Sequence, residues 1–108
     1  MTTDEMQDKI NKLSMMEQSL QQFLQKKQAL QSQLVEVDSA LGELAKTEKA
    51  YKIVGNVMVS AEKEDLIKDL KEKQEKISLQ IKTLEKQEDK IRSQTSELQS
   101  EVMKNMGD

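Results

Sequence analysis

Gly55-Asn56 sits almost at the midpoint of a chain of 108 residues that has no proline and only two other glycines, Gly42 and Gly107. Few other points can break the backbone, so the choice made at this dipeptide decides the fold. The residues around it, Tyr51 to Val59 (YKIVGNVMV), are the only β-like stretch. Ile53, Val54, Val57 and Val59 are β-branched and Tyr51 is aromatic, which suits a pleated surface better than a helix. Gly55 and Asn56 both tolerate positive φ, as a tight two-residue turn requires. In that register Val54 faces Val57. One face carries Lys52, Val54, Val57 and Val59; the other carries Tyr51, Ile53, Met58 and Ser60. Both faces are mostly apolar. A lone two-stranded hairpin is marginal in water and exposes unpaired backbone edges. Strands from other subunits would remedy both defects, so the stretch points to an oligomer. The alternative is a hairpin lying on its own helices.

On either side runs a heptad pattern. In the first half, Met6, Leu13, Leu20, Lys27, Leu34 and Leu41 fall seven apart, as do Lys9, Met16, Phe23, Leu30, Val37 and Leu44. Together they give alternating three- and four-residue spacing over about five heptads. Thr2 and Glu5 can form a capping box at the start. In the second half, Leu70, Ile77, Leu84, Ile91 and Leu98 form one unbroken set, while Ile67, Gln74, Ile81, Glu88, Thr95 and Val102 form a half-polar one. Ser60 is a candidate N-cap, and Glu62, Glu64 and Asp65 suit the positive end of a helix dipole. The expected architecture is mainly α: a long antiparallel two-helix coiled coil joined by one central β-hairpin. It forms a single domain, with helices over about 3–46 and 62–105 and the hairpin over about 51–60. Each helix would be roughly 65 Å long.

A chain that reverses at Gly55-Asn56 pairs positions whose numbers add to 111. Leu44 then meets Ile67, Leu41 meets Leu70, Leu34 meets Ile77 and Leu30 meets Ile81. A shift by one heptad would preserve this pattern, so the hairpin centre, not the periodicity, sets the register. Lys27 and Glu88 interrupt the seam one layer apart, and a diagonal contact would relieve both charges. Such a pair adds little net stability but can specify register.

Composition excludes much chemistry. Cysteine and histidine are absent, which removes thiol catalysis, disulfides, the usual zinc sites and the commonest general base. There is no phosphate-cradling glycine loop, nucleophile elbow or metal-ligand spacing. The abundant carboxylates read as solvated helix faces, so no catalytic residue, metal or cofactor is expected and the chain is not an enzyme. The net charge of −3 comes with both signs interspersed, and no basic stripe exists for a nucleic acid. No apolar run is long enough to span a membrane, and the N-terminus lacks the pattern of a signal peptide, so a cytoplasmic protein is expected.

Methionine is unevenly placed. Met1, Met6, Met15, Met16, Met103 and Met106 lie near the termini, and only Met58 does not. Antiparallel helices would bring both termini to one end of the coil. That end would carry Met6, Ile10, Leu13, Met15, Met16, Val102, Met103 and Met106, flexible apolar side chains able to re-pack against different partners. Met6, Leu13 and Met16 read equally well as ordinary seam residues. Ile10, Met15, Met103 and Met106 lie off the strict seam.

The order of long helix, YKIVGNVMV hairpin and long helix resembles the β-class subunits of prefoldin, the archaeal β subunit and its eukaryotic subunit-six relatives. The resemblance is carried by AYKIVGNVMVSAEKEDLIKDLKEK from Ala50 to Lys73 and the IKTLEKQE run from Ile81 to Glu88. The coiled-coil parts are unspecific. The α class carries two hairpins, and only one fits here. The preceding linker KTEKA looks shorter than in many relatives. The resemblance implies a hexamer of two α-type and four β-type subunits, whose hairpins form a β-barrel platform from which six coiled coils hang. It further implies ATP-independent holding of unfolded polypeptides at the coil tips and delivery to a group II chaperonin. On this chain Tyr51, Ile53, Val54, Gly55, Asn56, Val57, Met58 and Val59 would be oligomerisation residues. Met6, Ile10, Leu13, Met15, Met16, Val102, Met103 and Met106 would contact clients. The competing reading is a structural coiled-coil scaffold or adaptor that binds one defined partner helix.

Overall fold

The computed structural model describes residues 2–107. Met1, counted above among the terminal methionines, lies outside them. In chain order the elements are α1 (Thr3–Ala45), β1 (Ala50–Val54), β2 (Val57–Ala61) and α2 (Lys63–Met106). The fold is thus mainly α, two long helices joined by one antiparallel hairpin.

Helix α1 begins as its sequence suggests. The Met6 N–H donates to the Thr2 carbonyl at 3.0 Å, which makes Thr2 the cap residue, and the Glu5 N–H donates to Thr2 Oγ1 at 3.1 Å, so one of the orphan donors of the first turn is satisfied. Asp4 and Glu5 add negative charge at the positive end of the dipole. The other end needs no glycine. The Lys46 N–H reaches the Glu43 carbonyl at 3.0 Å and the Thr47 N–H that of Leu44 at 3.4 Å. These three-residue bonds tighten the last turn. Thr47 Oγ1 then donates to the Lys49 carbonyl at 3.1 Å and leads the chain into β1.

In the hairpin Val54 pairs with Val57, Ile53 with Met58, Lys52 with Val59, Tyr51 with Ser60 and Ala50 with Ala61. This is the register expected from a reversal centred on Gly55-Asn56. The turn itself differs in detail. Gly55 has φ of 61°, and no described non-glycine residue has positive φ. Left-handed freedom is therefore used at the first central position alone, the φ pattern of a type II′ turn.

Helix α2 starts later than a Ser60 cap would allow. Ser60 and Ala61 remain in the ladder, paired with Tyr51 and Ala50. The Leu66 N–H donates to the Glu62 carbonyl at 3.1 Å, which makes Glu62 the cap position. Two further residue pairs in the sheet outweigh the local preference of a serine for helix N-termini.

The structure divides into two compact units, one of residues Ala29–Ile81, the other of the chain through Gln28 and from Lys82 onward. In the first unit Val37, Ile77 and Ile81 are buried, with Leu30, Leu34, Leu41 and Leu70 packed against them. Every one is a seam residue. Gln74, a polar interruption of that seam, turns its amide outward, and Nε2 donates to Asp38 Oδ1 at 2.6 Å. In the second unit the helices again run antiparallel. Lys9 meets Glu101, Met16 meets Thr95 and Lys27 meets Glu88.

Candidate functional site

Two apolar surfaces stand out, one in each unit. The first is the hairpin. Ala50 is buried, and Val59 and Ala61 are half-buried, so only this part of one face is covered by the chain itself. Tyr51, Ile53 and Met58 fill the opposite face, and Val54 and Val57 flank the turn. All five are more than half exposed, Ile53 to 71%. The sheet has two strands only, so each keeps an unpaired backbone edge. Gly55 and Asn56 are exposed at the turn.

The second surface is the end of the coil formed by the first turns of α1 and the last turns of α2. Ile10, Met15, Met103 and Met106 are exposed there, Met15 to 67% and Met103 to 74%. Met103 and Met106 are three residues apart on α2 and share one side of it. Met6, Leu13 and Met16 are half-buried seam residues. Val102 is not on this surface: it is 7% exposed, enclosed in the seam between the helices. As a contact residue it is out of reach unless the helices part.

Polar contacts hold this end together. Lys9 Nζ donates to Glu101 Oε2 at 2.8 Å. That hydrogen bond, then the charge of Lys9 and more weakly that of Lys12, holds the Glu101 carboxyl below the usual range against a small opposing effect of burial. Thr95, buried in the seam, points Oγ1 at Met16 Sδ, 3.5 Å away. Lys9, Lys12, Met16, Leu98 and Glu101 border a shallow groove, too open to enclose a small molecule.

Glu88 is the most deeply buried polar side chain among the described residues, 1% exposed. Its Oε1 lies 2.8 Å from Lys27 Nζ and its Oε2 3.1 Å from Arg92 Nη2. Oε1 accepts no hydrogen bond in good geometry, so the Lys27 charge itself compensates it. The diagonal pair expected from the seam is present. Arg92 was missed because cross-helix pairing rules say nothing of an i,i+4 partner on the same helix. The carboxylate is tied to two cations and opens onto no cavity, so it is a structural group. Among the described residues no group of side chains could hold a metal ion, and no helix is long and apolar enough to cross a membrane. Leu24, Val35 and Leu79, apolar residues off the seam, are also exposed.

A family model described as "Prefoldin subunit" matches residues 7–108. The prefoldin subunit beta of Pyrobaculum neutrophilum is 36% identical over 105 residues, covering 94% of this chain and 83% of the relative. That of Archaeoglobus fulgidus is 36% identical over 101 residues, covering 91% and 87%. The crystal structure of the prefoldin beta subunit from Thermococcus strain KS-1 superposes with a TM-score of 0.87 at 31% identity, covering 94% of this chain and 91% of that one.

Proposed function

The chain belongs to the prefoldin family as a β-type chaperone subunit, and from that premise we propose that it is an ATP-independent holdase. In this reading it binds non-native polypeptides through the end of the coil and passes them to a group II chaperonin. Ile10, Met15, Met103 and Met106 make the first contact. Met6, Leu13, Met16 and Val102 join when the end loosens, since coil ends fray. The observation that carries the reading is the exposure of four large, mostly flexible apolar side chains at one end, at off-seam positions where a coil serving only to pair its helices would carry polar residues. Thioethers suit this task because they re-pack against many shapes.

The hairpin is assigned to assembly. Five exposed apolar residues and two open edges favour addition of strands from other subunits. We take the assembly to be a cytoplasmic hexamer of two α-type and four β-type subunits, in which residues 1–108 of this chain act as one domain. Tethering several weak tips to one platform raises their effective concentration, so modest single contacts add up to useful retention.

The test is suppression of aggregation of a denatured client. A quadruple variant, Ile10→Ser, Met15→Ser, Met103→Ser and Met106→Ser, should lose protection while its helix content and native mass stay unchanged. Protection by the variant equal to that of the parent refutes the assignment. Native mass measurement with an α-type subunit tests the hexamer. A scaffold that binds one defined partner helix has a single observation in its favour, the closed seam at Val102. It predicts no protection of any denatured client.

A further inference from the structure

Over the whole chain the two signs of charge look interspersed, yet within the terminal unit they are sorted. In α1 an uncharged stretch, Gln18 to Gln25, separates the start of the helix from Lys26 and Lys27. In α2, Ser93 to Ser96 likewise separates Arg92 from Glu97. On the terminal side of these breaks lie six acids, Asp4, Glu5, Asp8, Glu17, Glu97 and Glu101, against three bases, Lys9, Lys12 and Lys104. The net charge of the described residues there is −3. On the other side of the breaks, within the same unit, Lys26, Lys27, Lys82, Lys86, Lys90 and Arg92 outnumber Glu85, Glu88 and Asp89, for a net +3. The four exposed apolar residues Ile10, Met15, Met103 and Met106 all fall in the acidic part. All six acids are exposed, and among the described residues only Glu101 has a cation held against it, at 2.8 Å.

We propose that this end selects, among non-native polypeptides, segments in which lysine or arginine flanks apolar residues. The inference rests on the reading of the end as a client-binding surface and adds a preference to it. The apolar side chains supply attraction without regard to sequence. The surrounding negative field favours basic segments, and does so over about 10 Å at 0.1 M salt, without requiring fixed contacts. Exposed charge pairs are individually weak, so the preference is graded, and it is strongest at low ionic strength.

Two disordered peptides with the same leucines and phenylalanines, one flanked by lysines and the other by glutamates, are titrated against the full chain by fluorescence anisotropy. The lysine peptide is expected to bind about tenfold tighter at about 20 mM salt, with the difference falling below about twofold at about 500 mM. The triple variant Asp8→Asn, Glu17→Gln and Glu97→Gln removes three negative charges from exposed positions. It should erase the preference and leave binding at high salt unchanged. Equal affinity for the two peptides at low salt overturns the charge preference but leaves the client-binding surface standing. Binding of neither peptide overturns both.

Discussion

Lys27 Nζ lies 2.8 Å from Glu88 Oε1 across the seam between the helices, and the two side chains are unequally sheltered: 20% of the lysine is exposed, 2% of the glutamate. The asymmetry sets the cost of breaking the pair. Lys27→Leu strands a buried carboxylate with Arg92 alone and should cost about 2–4 kcal/mol. Glu88→Leu leaves a lysine that can reach water along its stem, and should cost less. The double variant Lys27→Leu, Glu88→Leu should match or exceed the parent, with looser alignment of the helices. Denaturant midpoints at constant m-value check the energies, and paired spin labels check the alignment. A large loss in the double variant would show that the pair stabilises rather than aligns.

Gly42 and Gly55 make a matched pair of controls. An added Cβ meets nothing within 4 Å at either, so only the backbone distinguishes them. Gly55 has φ of 61° and Gly42 sits inside α1. Gly55→Ala should therefore destabilise the hairpin by about 1–2 kcal/mol. Gly42→Ala should stabilise by about 0.5–1 kcal/mol, because alanine loses less freedom on entering a helix. Thermal unfolding of the two variants side by side reads out the opposite signs.

The Lys9–Glu101 contact predicts a response to acid. The carboxyl is held below its ordinary value in the fold, first by the hydrogen bond from Lys9. The charged form is thus favoured by folding. The contribution is fully present above the usual carboxylate range and is lost as pH falls through the lowered value. Acid should loosen the terminal turns before the buried part of the seam. Glu101→Gln should remove this response and make the terminal turns of α2 exchange faster at neutral pH. Amide exchange of the last turns of α2 across an acid titration measures it.

Ile53 and Met58 face each other across the ladder on the fully exposed side of the hairpin. Ile53→Ser with Met58→Ser should lower the native mass of the assembly while leaving helix content intact, because neither side chain contributes to the seam. Unchanged mass would move the assembly surface elsewhere.

Much of this was readable beforehand, for a physical reason. One glycine with one conformational need sets the centre of the hairpin. In the terminal unit the heptads alone bring seam to seam, and the expected Lys27–Glu88 contact is present there. The misses share a different origin. Ser60 looked like a cap because serine prefers that position locally, yet two more ladder pairs kept it in β2. Val102 is a different case: its heptad set already places it in the seam, where it is enclosed, and only fraying of the coil end would bring it to a client. Arg92 lies outside any cross-helix rule. Local preference and proximity in sequence were overridden wherever pairing with another element offered more.

Each polar residue set into the seam of α2 is answered from α1: Gln74 by Asp38, Glu88 by Lys27, Thr95 by Met16. A sequence drifting by random change cannot alter one member of such a couple cheaply. The two halves of this polypeptide are therefore bound to a common history, and among descendants of the same gene these positions should change in step or stay as they are.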